Sequence, residues 1–328
     1  MYARYSRPAL LALVAFLLAF AFVPTAPLAT MGVVSAQAAC IGNVPAALSW
    51  MGTLQNPDGG FTNGFQPESD LGTTADVLVA AKSAGIDPLT YLKDGKTPLD
   101  YLTAQVEAGK ADNAGKLGKV LLGLSGTDAD LSAFAAHNLP EEAATALAKL
   151  TDGSDLYSLS LALLGLHAAG MDAPEGAVTT LLEARNADGG WGFSKGSASD
   201  TNTSALALQA LVAADAEFDV TPTLAYFKAV QNADKGWPYQ KPSEGTAESD
   251  ANSTAAVIQA LIAAGEALDQ WGNPAQVLAT FQQPSGAFTY QLSQPADNFL
   301  ATVQALPVLC GATLIATPLA TPEATPAK

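Results

Sequence analysis

Basic and metal-ligating side chains are scarce in this chain. Its 328 residues hold 15 Lys and Arg against 31 Asp and Glu, with only two His and two Cys. So acidic a surface repels nucleic acid and anionic lipid and favours solubility or cationic partners. The two Cys and two His do not make a zinc set, because neither His137 nor His167 has a cysteine at ligand spacing. Both histidines read as ordinary helix residues, and no metal site is expected. Charged residues make up only 14% of the chain, which excludes an acidic disordered protein. Long hydrophobic runs are also missing. The stretch from Ala9 to Val23 is too short, and too soon cut by Pro24 and Pro27, to span a bilayer.

That stretch instead has the marks of an export signal. Arg4 and Arg7 precede it, and Ala36-Gln37-Ala38 offers a small-x-small cleavage site, so residues 1–38 are expected to be removed after Ala38. The remaining chain carries 13 basic and 31 acidic residues, a net charge of −18, and is expected outside the cell, secreted or cell-surface associated. Cys40 and Cys310 stand at opposite ends of the presumptive folded region, 39–311, and in an oxidising compartment they read as a disulfide staple. Beyond Gly311, residues 312–328 repeat Thr317-Pro318, Thr321-Pro322 and Thr325-Pro326, which favours an extended, unpacked tail.

What the chain does have is a repeat. Asp70, Asp112, Asp155, Asp200, Asp250 and Asp297 each open a run of small and apolar residues, at separations of 42, 43, 45, 50 and 47. Each follows Ser or Ala, and SDTNTSALALQALVAA from Ser199 aligns without gaps on SDANSTAAVIQALIAA from Ser249. A period near 45 residues fits one helical hairpin. The aspartate can accept the free amide hydrogens of a first helical turn and suits the positive end of the helix dipole. The bodies are apolar around most of their circumference, which predicts buried, inner helices. More amphipathic outer helices are predicted at roughly 44–55, 98–109, 174–186, 222–232 and 274–282, with a sixth in 129–150 interrupted at Pro140. Six buried helices needing cover on both flanks are satisfied by a closed all-α barrel of six hairpins, an (α/α)6 toroid. In a closed ring the first and last units are neighbours, so Cys40 and Cys310 come within disulfide reach.

Four outer-to-inner connections share a motif: Gln55-Asn56-Pro57-Asp58-Gly59-Gly60-Phe61, Arg185-Asn186-Ala187-Asp188-Gly189-Gly190-Trp191, Gln231-Asn232-Ala233-Asp234-Lys235-Gly236-Trp237 and Gln282-Gln283-Pro284-Ser285-Gly286-Ala287-Phe288. This resembles the Gln-Trp repeat of the prenyltransferase and squalene-cyclase superfamily, whose members share the α/α-toroid. The resemblance covers about 45 to 311 and implies the fold. It does not carry over the members' chemistry. The cyclase acid motif Asp-x-Asp-Asp has its nearest match in Asp128-Ala129-Asp130-Leu131, which lacks the last carboxylate. Prenyltransferase zinc ligands and the thioester Cys-Gly-Glu-Gln are absent from the sequence. The inner-helix heads are most similar to those of the cobalamin-carrier helical domain.

Closure would gather every inner-helix head on one rim. There Asp200 and Asn202, Asp250 and Asn252, and Asp297 and Asn298 pair carboxylates with amides. The outer aromatics Phe193, Tyr239 and Tyr290 stand beside them, and together these are the candidate ligand-binding residues. Asp70, Asp112 and Asp155 read as caps. Phe61, Trp191, Trp237 and Phe288 read as core. The expectation is an exported, non-catalytic binding or scaffold module for a small ligand such as a sugar or corrinoid. No catalytic residue, cofactor or oligomeric state can be read from the sequence. The alternative is a carbohydrate-active hydrolase or lyase using rim carboxylates, which needs an acid and a base of split pKa.

Overall fold

The computed structural model describes residues 40–315 apart from 243, 244 and 246. The expected signal peptide, and the tail from 316 onward, lie outside the described residues. Twelve α-helices alternate in two sets. The inner set is α2 (Leu71–Ser83), α4 (Ala114–Leu124), α6 (Leu156–Ala168), α8 (Thr201–Ala213), α10 (Ala251–Ala263) and α12 (Phe299–Leu309). The outer set is α1 (Val44–Gly52), α3 (Pro98–Glu107), α5 (Leu139–Leu147), α7 (Glu175–Ala184), α9 (Thr221–Val230) and α11 (Pro274–Ala279). Each inner helix packs on the next, α2 to α4 through to α12, and α12 packs on α2. Cys40, just ahead of α1, is bonded to Cys310 at the end of α12. The described residues are therefore all-α apart from one two-residue pairing, Phe288–Thr289 against Asp297–Asn298, and isolated single-residue bridges in the loops.

Local chemistry explains the helix starts. Asp70, Asp155, Asp200 and Asp250 each accept the amide of the residue three further on, at 2.7 to 2.8 Å. In the second and sixth units the register differs from the sequence expectation. There Asn113 and Asn298 are the caps, accepting from Lys116 and Ala301, one residue beyond Asp112 and Asp297. Asparagine satisfies a first-turn amide as well as aspartate does, so the repeat keeps its geometry while the carboxylate is displaced. Asp112 instead makes an exposed ion pair with Lys116, and Asp297 accepts from Ser285 Oγ. Pro140 also departs from expectation: it lies in the first turn of α5 and starts that helix, where its missing N–H costs nothing. His137 likewise sits in the turn before α5, bonded to Glu142, and only His167 is helical.

The repeated loop motif is a set of latches. Asp58, Asp188 and Asp234 each accept from a backbone amide two residues on and from the serine preceding the next cap, Ser69, Ser199 or Ser249. Asn56, Asn186 and Asn232 reach the same serines. The amides of Phe61, Trp191, Trp237 and Phe288 donate to a Thr or Ser hydroxyl one turn inside the inner helix. All four rings are fully buried, which places them in the core. Between α4 and α6 the backbones nearly touch. A Cβ on Gly118 would lie 2.4 Å from the Leu161 carbonyl oxygen, so glycine is required there despite its poor helix propensity.

Candidate functional site

An axial cavity of about 110 Å³ is lined by side chains from all six inner helices. Most of the lining falls at the second, sixth and ninth residues after each cap, the spacing that keeps side chains on one helix face. Polar groups recur in that seam. Tyr157 and Asn202 occupy the level nearest the helix heads, Asp76, Lys119 and Gln304 the next, and Gln209 and Gln259 the deepest. Leu300 both lines the cavity and is 41% exposed, so the mouth lies at the rim. At the other end Leu314 forms a floor. Ile315 beside it is buried in the apolar cluster to which α4 and α6 contribute most. Packing thus runs four residues past Gly311, because Leu314 and Ile315 join that cluster.

The centre of the cavity is an ion pair. Lys119 Nζ lies 2.6 Å from Asp76 Oδ2, and the 24% of each side chain that is accessible faces the cavity. Burial raises the Asp76 pKa, with Lys119 opposing the rise. Burial is also the largest influence on Lys119, working against its charge, but Asp76, Tyr157 and Asp70 together outweigh it and hold the ammonium above its ordinary value. Tyr157 beside them is pushed up, chiefly by burial, and stays protonated. The amides are less well served. Gln209 is 1% exposed; its Nε2 donates to the Ala205 carbonyl, but among the described residues its Oε1 has no partner, and neither does Asn202 Oδ1. Two buried acceptors without donors cost free energy unless water or a ligand supplies them. A cavity of this size holds several waters.

The expected rim residues are not equivalent. Asp70 is exposed and Asp155 half-buried, whereas Asp200 and Asp250 are 1% exposed. The difference arises from interlocking between units. The carbonyls of Phe193, Tyr239 and Tyr290 accept from the first amide of the preceding unit's inner helix, at Leu156, Thr201 and Ala251. This brings Tyr239 beside Asp200 and Tyr290 beside Asp250. Burial raises the pKa of Asp200, and it raises that of Asp250 to about 6 against hydrogen bonds from Ser253. Asn202 turns into the cavity, and Asn252 donates to the cavity residue Gln304 at 3.0 Å. Asn298 is occupied as a cap, and Asp297 stands exposed outside the cavity lining.

Sequence reasoning missed Asp76, Lys119, Tyr157, Gln209, Gln259 and Gln304. The signal was available: isolated polar residues at fixed distances after each cap, inside helices otherwise apolar. Among the described residues no helix is long and apolar enough to cross a membrane, and no three His, Cys, Asp or Glu side chains cluster as a metal site.

With that geometry, known structures can be placed beside the chain. No protein-family model matches it, and no curated protein matches it in sequence. Solved structures do. A glycosidase in complex with glucose shares 13% identity over 82% of this chain and 95% of its own, with a TM-score of 0.57. The type II terpene cyclase MstE from Scytonema shares 13% identity over 82% and 96%, with a TM-score of 0.59. A variant of that cyclase bound to its substrate geranylgeranyl dihydroxybenzoate gives 14% identity, 81% and 95% coverage, and 0.58. The likeness is one of fold.

One prediction follows from the buried Asp250. Its folded pKa of about 6 lies above the ordinary 3.8, so between those values the folded state holds a proton that the unfolded chain has released. Stability is then fully present below about pH 4 and falls as pH rises through about 6, by roughly 2–3 kcal/mol. Asp250→Asn keeps the cap and cannot ionise. Urea unfolding at pH 4.5 and pH 7 should show a shallower decline in the variant; equal declines in both proteins would remove the role assigned to Asp250.

Proposed function

We propose that this chain is an exported, non-catalytic binding module. Its six helical pairs close as an (α/α)6 toroid over 39–311, and a small neutral ligand rich in hydroxyl donors, of the sugar class, enters the axial cavity from the rim. The proposed closure is supported by the packing of α12 on α2 and by the Cys40–Cys310 bond. The signal peptide 1–38 and the Thr-Pro tail complete the proposed organisation, and the disulfide is compatible with an oxidising, extracellular setting.

The observation that carries the ligand reading is the pair of unpartnered acceptors, Asn202 Oδ1 and Gln209 Oε1, in a pocket that also presents Lys119, Tyr157 and Asp76. Acceptors without donors call for a ligand that brings its own, and the ion pair leaves the pocket with no net charge to attract an ionic one. A corrinoid is far too large for about 110 Å³. The rim amides Asn202 and Asn252 contribute through the cavity wall. Asp250 is unsuited to contact ligand, since Ser253 engages both of its carboxylate oxygens. Hydrolysis fits less well. A two-carboxylate mechanism needs an acid and a base flanking the bond, while among the described residues Asp76 is the single carboxylate lining the cavity and Lys119 occupies it.

Gln209→Leu tests the reading. It removes a buried acceptor without a partner, so the free protein should gain about 1–2 kcal/mol. The variant should also lose the rise in Tm that glucose, the probe sugar, is expected to give the wild type. If millimolar glucose and the other common neutral monosaccharides leave the wild-type Tm unmoved, the reading fails.

A further inference from the structure

We infer that the pocket receives the end of a neutral carbohydrate chain, with the following sugar units stacked on a platform formed by Phe193, Tyr239 and Tyr290. This rests on the sugar-class reading above and extends it from a ring to a polymer. The three aromatics occupy the same place in consecutive units, two residues after Trp191, Trp237 and Phe288. The earlier ring of each pair is wholly buried, while the later ones are 53%, 44% and 39% exposed. Three large aromatics are left in water at one repeated position of consecutive units, where isolated exposure would show no such regularity.

Their positions are fixed. Each backbone carbonyl holds the first amide of the neighbouring inner helix, at 2.8 Å for Phe193, 2.9 Å for Tyr239 and 3.0 Å for Tyr290. The two tyrosines of the platform stand at the heads of α8 and α10, the helices whose Asn202, Gln209 and Gln259 line the pocket. Tyr239 lies close enough to Asp200 and to the cavity residue Tyr157 that both act on its hydroxyl, after burial, to raise its pKa. Tyr290 in turn is raised to about 12 by burial, then by Asp250, then by Tyr239. Tyr290, Tyr239 and Tyr157 thus belong to the heads of α10, α8 and α6, and Tyr157 lines the pocket with Lys119 and Asp76. A sugar ring has an apolar C–H face and a hydroxyl edge. Aromatic faces outside and amide acceptors inside match those two surfaces in turn. The strongly acidic chain disfavours polyanionic glycans and selects a neutral one.

Binding of glucose and of its linear α-1,4- and β-1,4-linked oligomers, measured by titration calorimetry on the full exported chain, decides the matter. At least one oligomer series should bind the wild type tenfold or more tightly than glucose. Tyr239→Leu with Tyr290→Leu should abolish that gain of oligomer over glucose, because it removes the stacking faces while the carbonyl contacts that hold the loops are backbone. Gln209→Leu should weaken monomer and oligomer together. If neither series binds more tightly than glucose, or if the double variant keeps the full gain, the platform is overturned while the pocket stands. Absence of any glucose or oligomer binding overturns both.

Discussion

Lys119→Met is expected to destabilise the folded protein by about 3–5 kcal/mol, because it strands the Asp76 carboxylate in the axial cavity without its counter-ion. The double change Asp76→Leu with Lys119→Met should recover most of that loss. A buried pair replaced by apolar groups of similar volume is often neutral or stabilising, whereas half a pair is not. Urea unfolding of the two single variants and the double gives the coupling directly. A cost below about 1 kcal/mol for Lys119→Met would mean that cavity water screens the pair as it would at a surface. The pair would then contribute little to the stability of the fold.

Serine at both Cys40 and Cys310 should produce a loss of similar size. The bond closes a loop with a sequence separation of 270 residues. In the chain-entropy picture such a loop is worth about 5 kcal/mol, an upper figure because the reduced chain retains some structure. A fall in Tm on the order of 10 °C is expected for a domain of this size. Thermal unfolding of the double serine variant, beside the wild type with and without reductant, tests it. If the variant and the reduced wild type both melt within about 2 °C of the oxidised protein, the bond is incidental to stability.

The frame of this protein was legible because repetition multiplies weak signals. One aspartate before an apolar run proves little, but six in phase announce helical hairpins, and four glycine-aromatic motifs in step with them locate the junctions. Register was less secure. Asp112-Asn113 and Asp297-Asn298 each offer two competent caps in succession, and only the packed helices decide that asparagine holds the amide. Pro140 misleads for a related reason: a proline that breaks a helix interior and one that begins a helix look alike in sequence. The pocket was hidden by averaging. Lys119 or Gln209 alone hardly alters the apolar character of its helix, and its meaning lies in facing similar residues on five other helices. The rim aspartates drew notice because they repeat, yet repetition here marks structure. The residues that differ between units, Asp76, Lys119, Tyr157 and the glutamines, are where a specific ligand can be read.

The bonds from each loop to the preceding inner helix, at Phe193, Tyr239 and Tyr290, bear on how the protein comes apart. A linear array of repeats frays from its terminal units, and amide hydrogen exchange grades from fast ends to a slow middle. Here α12 rests on α2, and the first and last units share a covalent bond, so the array has no loose end from which to start. Exchange should set in where, among the described residues, no such clasp is found, at the heads of α2, α4 and α12, and first at α4, whose cap Asn113 is exposed. The most protected amides should lie in α8 and α10, whose first amides Tyr239 and Tyr290 hold. The rigid side of the molecule is therefore the side proposed to meet the ligand.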